Sequence, residues 1–440
     1  MDSKGQTIAI HQDRDLGVSR LRQGFVHGIS YEKGKDYSRT IALISALKPT
    51  SWRLSSWGNV YGFVVGESRL PQTLGTEIVF NIQDGFNIRY GYDVRIRPIC
   101  LPKQKSCFSS YDTFKKSWLA VVNAAIKTYA EKKLTIDYID VFAEPDYGTG
   151  KLWVTPEQLG DIFKATHDAV RQHRPNARIV APSFSAFRAA FLKRFLVFVA
   201  ENNLRLDALS WHEFEAPEVV PAHVSEIREF IKTQPKLCNP KCPEIHINEY
   251  APEDQHFIPG YGVGWLYYLE KAGVDHANRA CWDLPKGEST CWAGFNGMLS
   301  QDNVTPHPLY WVYKAYADMN GSRVSSEASL PQTVALASTD ESKKEVRILA
   351  GKFGQKGASG RVAIEVKDFR YNISSVIAEI TRIPDSGMAM RSLPALAPPV
   401  TEVIRVQDNS FSIVIPDFRD GEAYSIVVRP GGSSAQQDAI

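Results

Sequence analysis

Ile139-Asp140-Val141-Phe142-Ala143-Glu144-Pro145-Asp146 and Glu244-Ile245-His246-Ile247-Asn248-Glu249-Tyr250 decide how this chain folds. Each is a short β-branched and aromatic run that reads as a strand and runs into a glutamate. Turn residues commonly close an apolar strand, and a carboxylate there is costly if it is buried unpaired. Two such strands predict two carboxylates held at the same rim of a sheet.

Outward from these segments, short strand patterns alternate with longer helical ones. Further strands are predicted at Gly24 to Gly28, Ser51 to Ser55, Glu77 to Ile82, Ala177 to Ala181, Leu206 to Trp211 and Arg279 to Trp282. The two opening segments supply strands from Ile136 to Glu144 and from Ile245 to Glu249. Between them, Trp118, Val121, Val122, Ala125 and Tyr129 recur at three-and-four spacing and predict a helix over Tyr111 to Lys132. Thr155-Pro156-Glu157 reads as another helix start. Eight strands with crossover helices predict the α/β class and a (β/α)8 barrel over residues 21–321. Gly260-Tyr261-Gly262-Val263-Gly264 follows a long loop instead of a strand end, so it reads as the start of a helix and not as a phosphate cradle.

After residue 321 the pattern changes to short alternating strands such as Glu345 to Ala350, Gly360 to Val366 and Ser410 to Ile415. They predict a C-terminal β-sandwich over residues 322–431, with a flexible tail at 432–440. The segment 1–20 contains Ile8-Ala9-Ile10, which reads as a strand added to that sandwich.

At 440 residues, 43% hydrophobic and 23% charged, the chain suits two soluble domains. A net charge of +2 gives no footprint for nucleic acid, and no apolar run suits a membrane. The six cysteines fall into three local couples: Cys100 with Cys107, Cys238 with Cys242, and Cys281 with Cys291. They read as disulfides of an oxidising compartment, with zinc ligands and free thiols as the competing readings. The polar start Met1-Asp2-Ser3-Lys4-Gly5 has no leader character. The expectation is therefore a secreted or extracellular protein whose leader is absent from this chain. The sequons at Asn303, Asn320 and Asn372 fit secretion.

Functional groups of such a barrel project from the C-terminal strand ends. Glu144 closes the fourth predicted strand and Glu249 the seventh. Two opposed carboxyl groups are what glycoside hydrolysis needs, one to protonate the leaving oxygen and one to attack or to activate water. No metal or organic cofactor is called for.

Here the chain resembles a clan A retaining glycoside hydrolase, and within that clan glycoside hydrolase family 39, the β-xylosidase and α-L-iduronidase family. Phe142-Ala143-Glu144-Pro145-Asp146 stands where that family has Trp-Asn-Glu-Pro-Asp/Asn. Leu206 to His212 resembles its strand six, Ile247-Asn248-Glu249 its nucleophile strand, and Gly297 to Tyr316 its last barrel helix. The resemblance implies Glu144 as acid/base and Glu249 as nucleophile, with a carbohydrate substrate. It also implies a departure, because Ala143 replaces an Asn that contacts the sugar 2-hydroxyl in the family.

Glu144 is expected to have a raised pKa, and Arg53 is expected to keep Glu249 ionised. Further substrate-binding candidates are His27, His212, Trp282, Asp283, Tyr250 and Asn248, with Trp57 and Gln83 weaker. Structural roles compete for each: a core Trp for Trp282, a satisfied histidine for His27 and His212, a surface ion pair for Arg53. Glu213 and Glu215 read as a solvated loop. Two other functions stay open. One is a uronic-acid-releasing glycosidase of the same clan, with Arg89 or Arg95 meeting the substrate carboxylate. The other is a catalytically inactive barrel that binds glycans.

Overall fold

The computed structural model describes residues 5–29, 34–55, 69–82, 111–132, 135–146, 156–284, 288–291, 293–386 and 392–431. The chain begins with β1 (Gln6–Gly17), which belongs to a sheet formed mainly by the C-terminal part. Eight parallel strands then close a barrel in chain order. They are β2 (Arg22–Val26), β3 (Ser51–Ser55), β4 (Glu77–Ile82), β5 (Tyr138–Val141), β6 (Arg178–Phe184), β7 (Ala208–Glu213), β8 (Glu244–Tyr250) and β9 (His276–Arg279). Arg22 sits opposite His276 and Phe25 opposite Arg279, which joins the last strand to the first. The helices are α1 (Ser38–Ala46), α2 (Arg69–Leu74), α3 (Tyr111–Lys132), α4 (Pro156–His173), α5 (Ala189–Glu201), α6 (Val220–Lys232), α7 (Pro259–Ala272) and α8 (Pro308–Ala317). No helix among the described residues is long and apolar enough to cross a membrane.

Alternation along the strands sorts the side chains into two sets. Trp52, Leu54, Ile78, Phe80, Ile139, Val141, Ile179, Leu209, Ile245 and Ile247 point outward and join the main core with the helices. The inward set is mostly polar. Val79, Tyr138, Val180 and Ala208 form a separate small cluster within the barrel. Beside them, towards the C-terminal strand ends, lie Arg53, Asn81, Asp140, Ser210, His212 and Asn248, all fully buried. Buried polar groups on this scale are tolerated only when they bond to one another.

The second sheet has β10 (Ser322–Ala328), β11 (Thr333–Asp340), β12 (Glu345–Lys352), β13 (Val362–Lys367), β14 (Ser375–Ile383), β15 (Val400–Arg405), β16 (Phe411–Ile415) and β17 (Ala423–Pro430). Its order is β15-β14-β17-β12-β11-β10-β1-β13-β16. β1 runs antiparallel to β10 and parallel to β13. β15 and β16, at the two ends of the sheet, lie close together, so it wraps around a core that includes Ile8, Ile10, Ile348, Ile364, Val376 and Ile426. The expected barrel plus β domain is thus the architecture found.

The Gly260–Gly264 run lies in the first turns of α7, where that helix packs on β11 and β12. A Cβ on Gly260 would sit 1.9 Å from the Lys352 carbonyl oxygen, and one on Gly264 would sit 2.5 Å from the Phe353 ring. The glycines therefore serve the close approach of barrel and sheet.

Several strand ends differ from expectation: β6 and β7 run on to Phe184 and Glu213. The first barrel strand stops at Val26, because His27 takes a left-handed φ of 58°. The fourth stops at Val141, because Phe142 turns the chain with a φ of 77°. The eighth lies at His276–Arg279, ahead of the predicted Arg279 to Trp282. His276, Ala277, Asn278 and Arg279 are all fully buried, whereas Cys281 already belongs to a loop tied to Cys291 by a disulfide.

Candidate active site

The C-terminal strand ends carry unusual backbone. His27, Phe142, Glu144, Ser183 and Ala251 all have left-handed φ values, between 50° and 77°. Outside glycine such conformations cost of order 1–3 kcal/mol each and persist where surrounding contacts over-determine them. Those contacts are present. The Glu144 amide donates to the Ser183 carbonyl over 2.8 Å, and Asn81 donates to the Phe142 carbonyl. Trp118 of α3 stacks on Phe142 with ring centroids 5.0 Å apart, and its indole N–H donates to Thr166 over 2.8 Å.

On β8 the register against β7 slips between Trp211 and His212, so that Trp211 faces Ile247 and His212 faces Glu249. Asn248 is the extra residue of this bulge, a device that re-aims side chains. Its amide points inward and donates to Asp140 and to Ser183 Oγ, both over 2.9 Å. The Glu249 carboxylate is left at the barrel mouth, 22% exposed.

Glu144 and Glu249 face each other there. One oxygen of each and one ring nitrogen of His212 all lie within 4.8 Å of one another. His212 Nδ1 donates to Glu144 over 3.0 Å, while its Nε2 lies 4.0 Å from Glu249. Arg53, fully buried, donates through Nη1 to Glu249 over 2.5 Å and through Nε to Asp140 over 2.9 Å. Burial opposes the charge on Arg53, but the charges and hydrogen bonds of Asp140 and Glu249 outweigh it and raise its pKa.

The expected raised pKa of Glu144 is corrected by this geometry. Burial does push it up, but the hydrogen bond and charge of His212, together with Arg53, more than offset burial and leave it lowered. At His27, burial and then the charge of Arg53 lower the pKa to about 3, so the imidazole is neutral.

The other predicted residues are dispersed. Trp282 is half-buried; its indole donates to the Ala251 carbonyl over 3.1 Å, and its ring meets Phe214 edge-on, which in turn meets His212. Asp283 is exposed and forms a β-bridge with Ser289. Tyr250 is fully buried against Trp265, with its hydroxyl 2.8 Å from that of Tyr313, so it faces away from the mouth. Asn248 likewise lies beneath the site and not in it. Glu213 is not a solvated loop residue: it is 1% exposed and accepts from Trp211 over 2.6 Å, with His223 Nδ1 at 2.8 Å. Disulfides join Cys238 to Cys242 and Cys281 to Cys291. Trp57, Gln83, Arg89, Arg95, Cys100 and Cys107 lie outside the described residues. Asn303 is buried with its Oδ1 accepting from the Gly294 amide, which leaves Asn320 and Asn372 as the exposed sequons.

Asp140 is the residue the sequence reading passed over. It is a fully buried carboxylate that accepts from Arg53, from Asn81 over 3.0 Å, from Asn248 over 2.9 Å and from Ser183 Oγ over 2.5 Å. The signal was available: strand alternation puts Asp140 on the inward side with Tyr138, inside an otherwise apolar run. A second group with metal-ligand spacing, Glu244, His246 and His276, lies at the opposite end of the barrel. There Lys241 pairs with Glu244, while Arg22 and Arg178 pair with the neighbouring Glu77, so side chains already balance the carboxylates.

No protein-family model matches the sequence, and no curated protein does. Solved structures share the fold over nearly the whole chain. N2152 from Neocallimastix frontalis superposes with a TM-score of 0.76 at 20% identity, covering 97% of this chain and 100% of its own. A monomeric β-xylosidase from Caulobacter crescentus gives 0.66 at 15% identity, with 97% and 100% covered. The family 39 glycoside hydrolase from Xanthomonas axonopodis pv. citri gives 0.63 at 15%, with 98% of both chains covered.

The buried charge arrangement generates a stability prediction. Arg53→Met leaves Asp140 fully buried without its cation, at a cost of about 3–5 kcal/mol. Urea unfolding followed by tryptophan fluorescence measures it; a loss below about 1 kcal/mol, the scale of an exposed ion pair, contradicts the arrangement.

Proposed function

We propose that the chain is a retaining O-glycoside hydrolase acting on plant or microbial poly- or oligosaccharides, with Glu249 as nucleophile and Glu144 as acid/base. The observation that carries this reading is the approach of the two carboxylates, one oxygen of each within 4.8 Å, at the mouth of the barrel, with His212 bonded to Glu144 and Arg53 to Glu249. Retaining enzymes hold the two groups about 5–5.5 Å apart, and inverting ones leave about 6.5–9.5 Å for a water. The shared fold with a β-xylosidase and a family 39 enzyme supports the same class.

In the first step a Glu249 oxygen bonds to the anomeric carbon while the bond to the leaving oxygen breaks and Glu144 gives that oxygen its proton. In the second, ionised Glu144 takes a proton from water, and the water oxygen displaces Glu249 from the sugar. The lowered pKa of Glu144 gives the substrate a part in this cycle. Glu144 is 29% exposed, and a sugar that covers it adds desolvation, which favours the protonated acid. Trp282 offers a face for the sugar ring. Two carboxylates suffice for the chemistry, so the mechanism calls for no cofactor. The disulfides fit an oxidising compartment, and we extend the reading to a secreted enzyme.

Ala143, flanked by the left-handed Phe142 and Glu144, has no group to bond the sugar 2-hydroxyl. We read it as a specificity feature, with a sugar that differs from simple β-xylosides at that position.

A panel of aryl glycosides and polysaccharides tests the reading. Hydrolysis by the parent protein that falls by about 1,000-fold or more in both Glu144→Gln and Glu249→Gln is expected. Glycan binding with no hydrolysis of any panel member identifies an inactive binding barrel instead. On β-xylosides, Ala143→Asn is expected to leave kcat/KM low; a large rise would show Ala143 to be a degenerate position.

A further inference from the structure

We propose that Asp140 is a positioning residue for this reaction, which acts through Arg53 to aim Glu249 and to limit the positive charge that Glu249 meets. The proposal rests on the glycosidase reading above for its consequence in turnover, and on geometry for its substance.

Arg53 is held at two points of its fork. Nε on Asp140 fixes the plane of the guanidinium, and Nη1 then faces Glu249. Without the first contact the planar group is free to turn about its last torsions, and the second loses its direction. Asp140 is itself fixed by Asn81 from β4, Ser183 from β6 and Asn248 from the β8 bulge. Asn248 and Glu249 are consecutive, so the bulge that presents the nucleophile is anchored to the carboxylate that orients its arginine.

Charge gives Asp140 its second effect. The groups facing Glu249 among the described residues are Arg53 from β3 and His212 from β7, with Glu144 across His212. Neutral His27 flanks Arg53 from the end of β2, and Asp140 stands behind it on β5. One cation beside one nucleophile would hold the carboxylate tightly and blunt its attack. A second, fully buried carboxylate on the same cation offsets that charge, while the hydrogen bond to Glu249 is kept.

Asp140→Asn keeps the size and removes the charge. Both glutamates then sit in a more positive field, protonation becomes less favourable, and the acid limb of kcat/KM moves to lower pH by roughly one pH unit. With Glu249 mis-aimed, kcat falls by about 100-fold. A residue that only holds the barrel together lowers activity with the limb unmoved or moved up, and that result overturns the proposal. Ser183→Ala keeps the charge and removes a donor that partly offsets it, so its limb moves up; no movement, or a downward one, also overturns the proposal, even if Asp140→Asn does not fold. The same shifts are read without turnover by carbon-13 NMR of labelled glutamate carboxyls, taking the resonance lost in Glu249→Gln. A parent protein that hydrolyses nothing sinks the glycosidase reading, while the NMR titration still decides the case of Asp140.

Discussion

A guanidinium with no exposure to water, shared between two carboxylates, is the interaction on which this structure turns. An unpaired charge at that depth would be prohibitive, so Arg53 is stable only where Asp140 and Glu249 both reach it. That requirement fixes several strands at once. β3 must carry the arginine inward, and β5 must turn an aspartate inward between the apolar Ile139 and Val141. β8 must bulge so that Asn248 turns down to Asp140 and Glu249 turns up to the mouth.

Left-handed backbone recurs beside this buried polar layer. Five left-handed residues at the strand ends are stabilised by specific partners, among them Asn81 on the Phe142 carbonyl and Ser183 on the Glu144 amide. Phe142 and Glu144 bracket Ala143, so the acid/base candidate leaves the sheet through a kink instead of continuing the strand. Trp118, which packs on Phe142, belongs to α3 and ties the kink to the outer helical layer. Rigid support of this kind is what a site needs when two carboxylates must keep a fixed separation.

Much of this was legible in the sequence. Outward-facing residues such as Ile139, Ile179, Leu209 and Ile245 gave strand patterns that placed the barrel, and the two glutamate-ended runs pointed to the residues that the fold brings together with Arg53 and His212. What stayed hidden has physical causes. Tyr250 reads as part of the site by position, but the β8 bulge, invisible in a single sequence, breaks the alternation and turns it into the outer core with Ile245 and Ile247. Asn248 sits inward by the same alternation as His246, and the bulge brings Glu249 to the mouth beside it instead of to the outer face. The pKa of Glu144 runs against expectation because His212, far away in the chain, donates to it. Asp140 carried a readable signal, a charged residue at an inward strand position, but the attraction of Glu144 four residues later masks it.

The identity of the atom that carries the sugar tests the central claim most directly. Glu144→Gln slows the second step more than the first for a substrate with a good leaving group, so a covalent intermediate accumulates. Acid quenching, proteolysis and tandem mass spectrometry then locate the added sugar. The account predicts one glycosyl group on the peptide containing Glu249, bonded through that side chain. A sugar on any other residue, or a product formed with inverted anomeric configuration and no adduct, contradicts it.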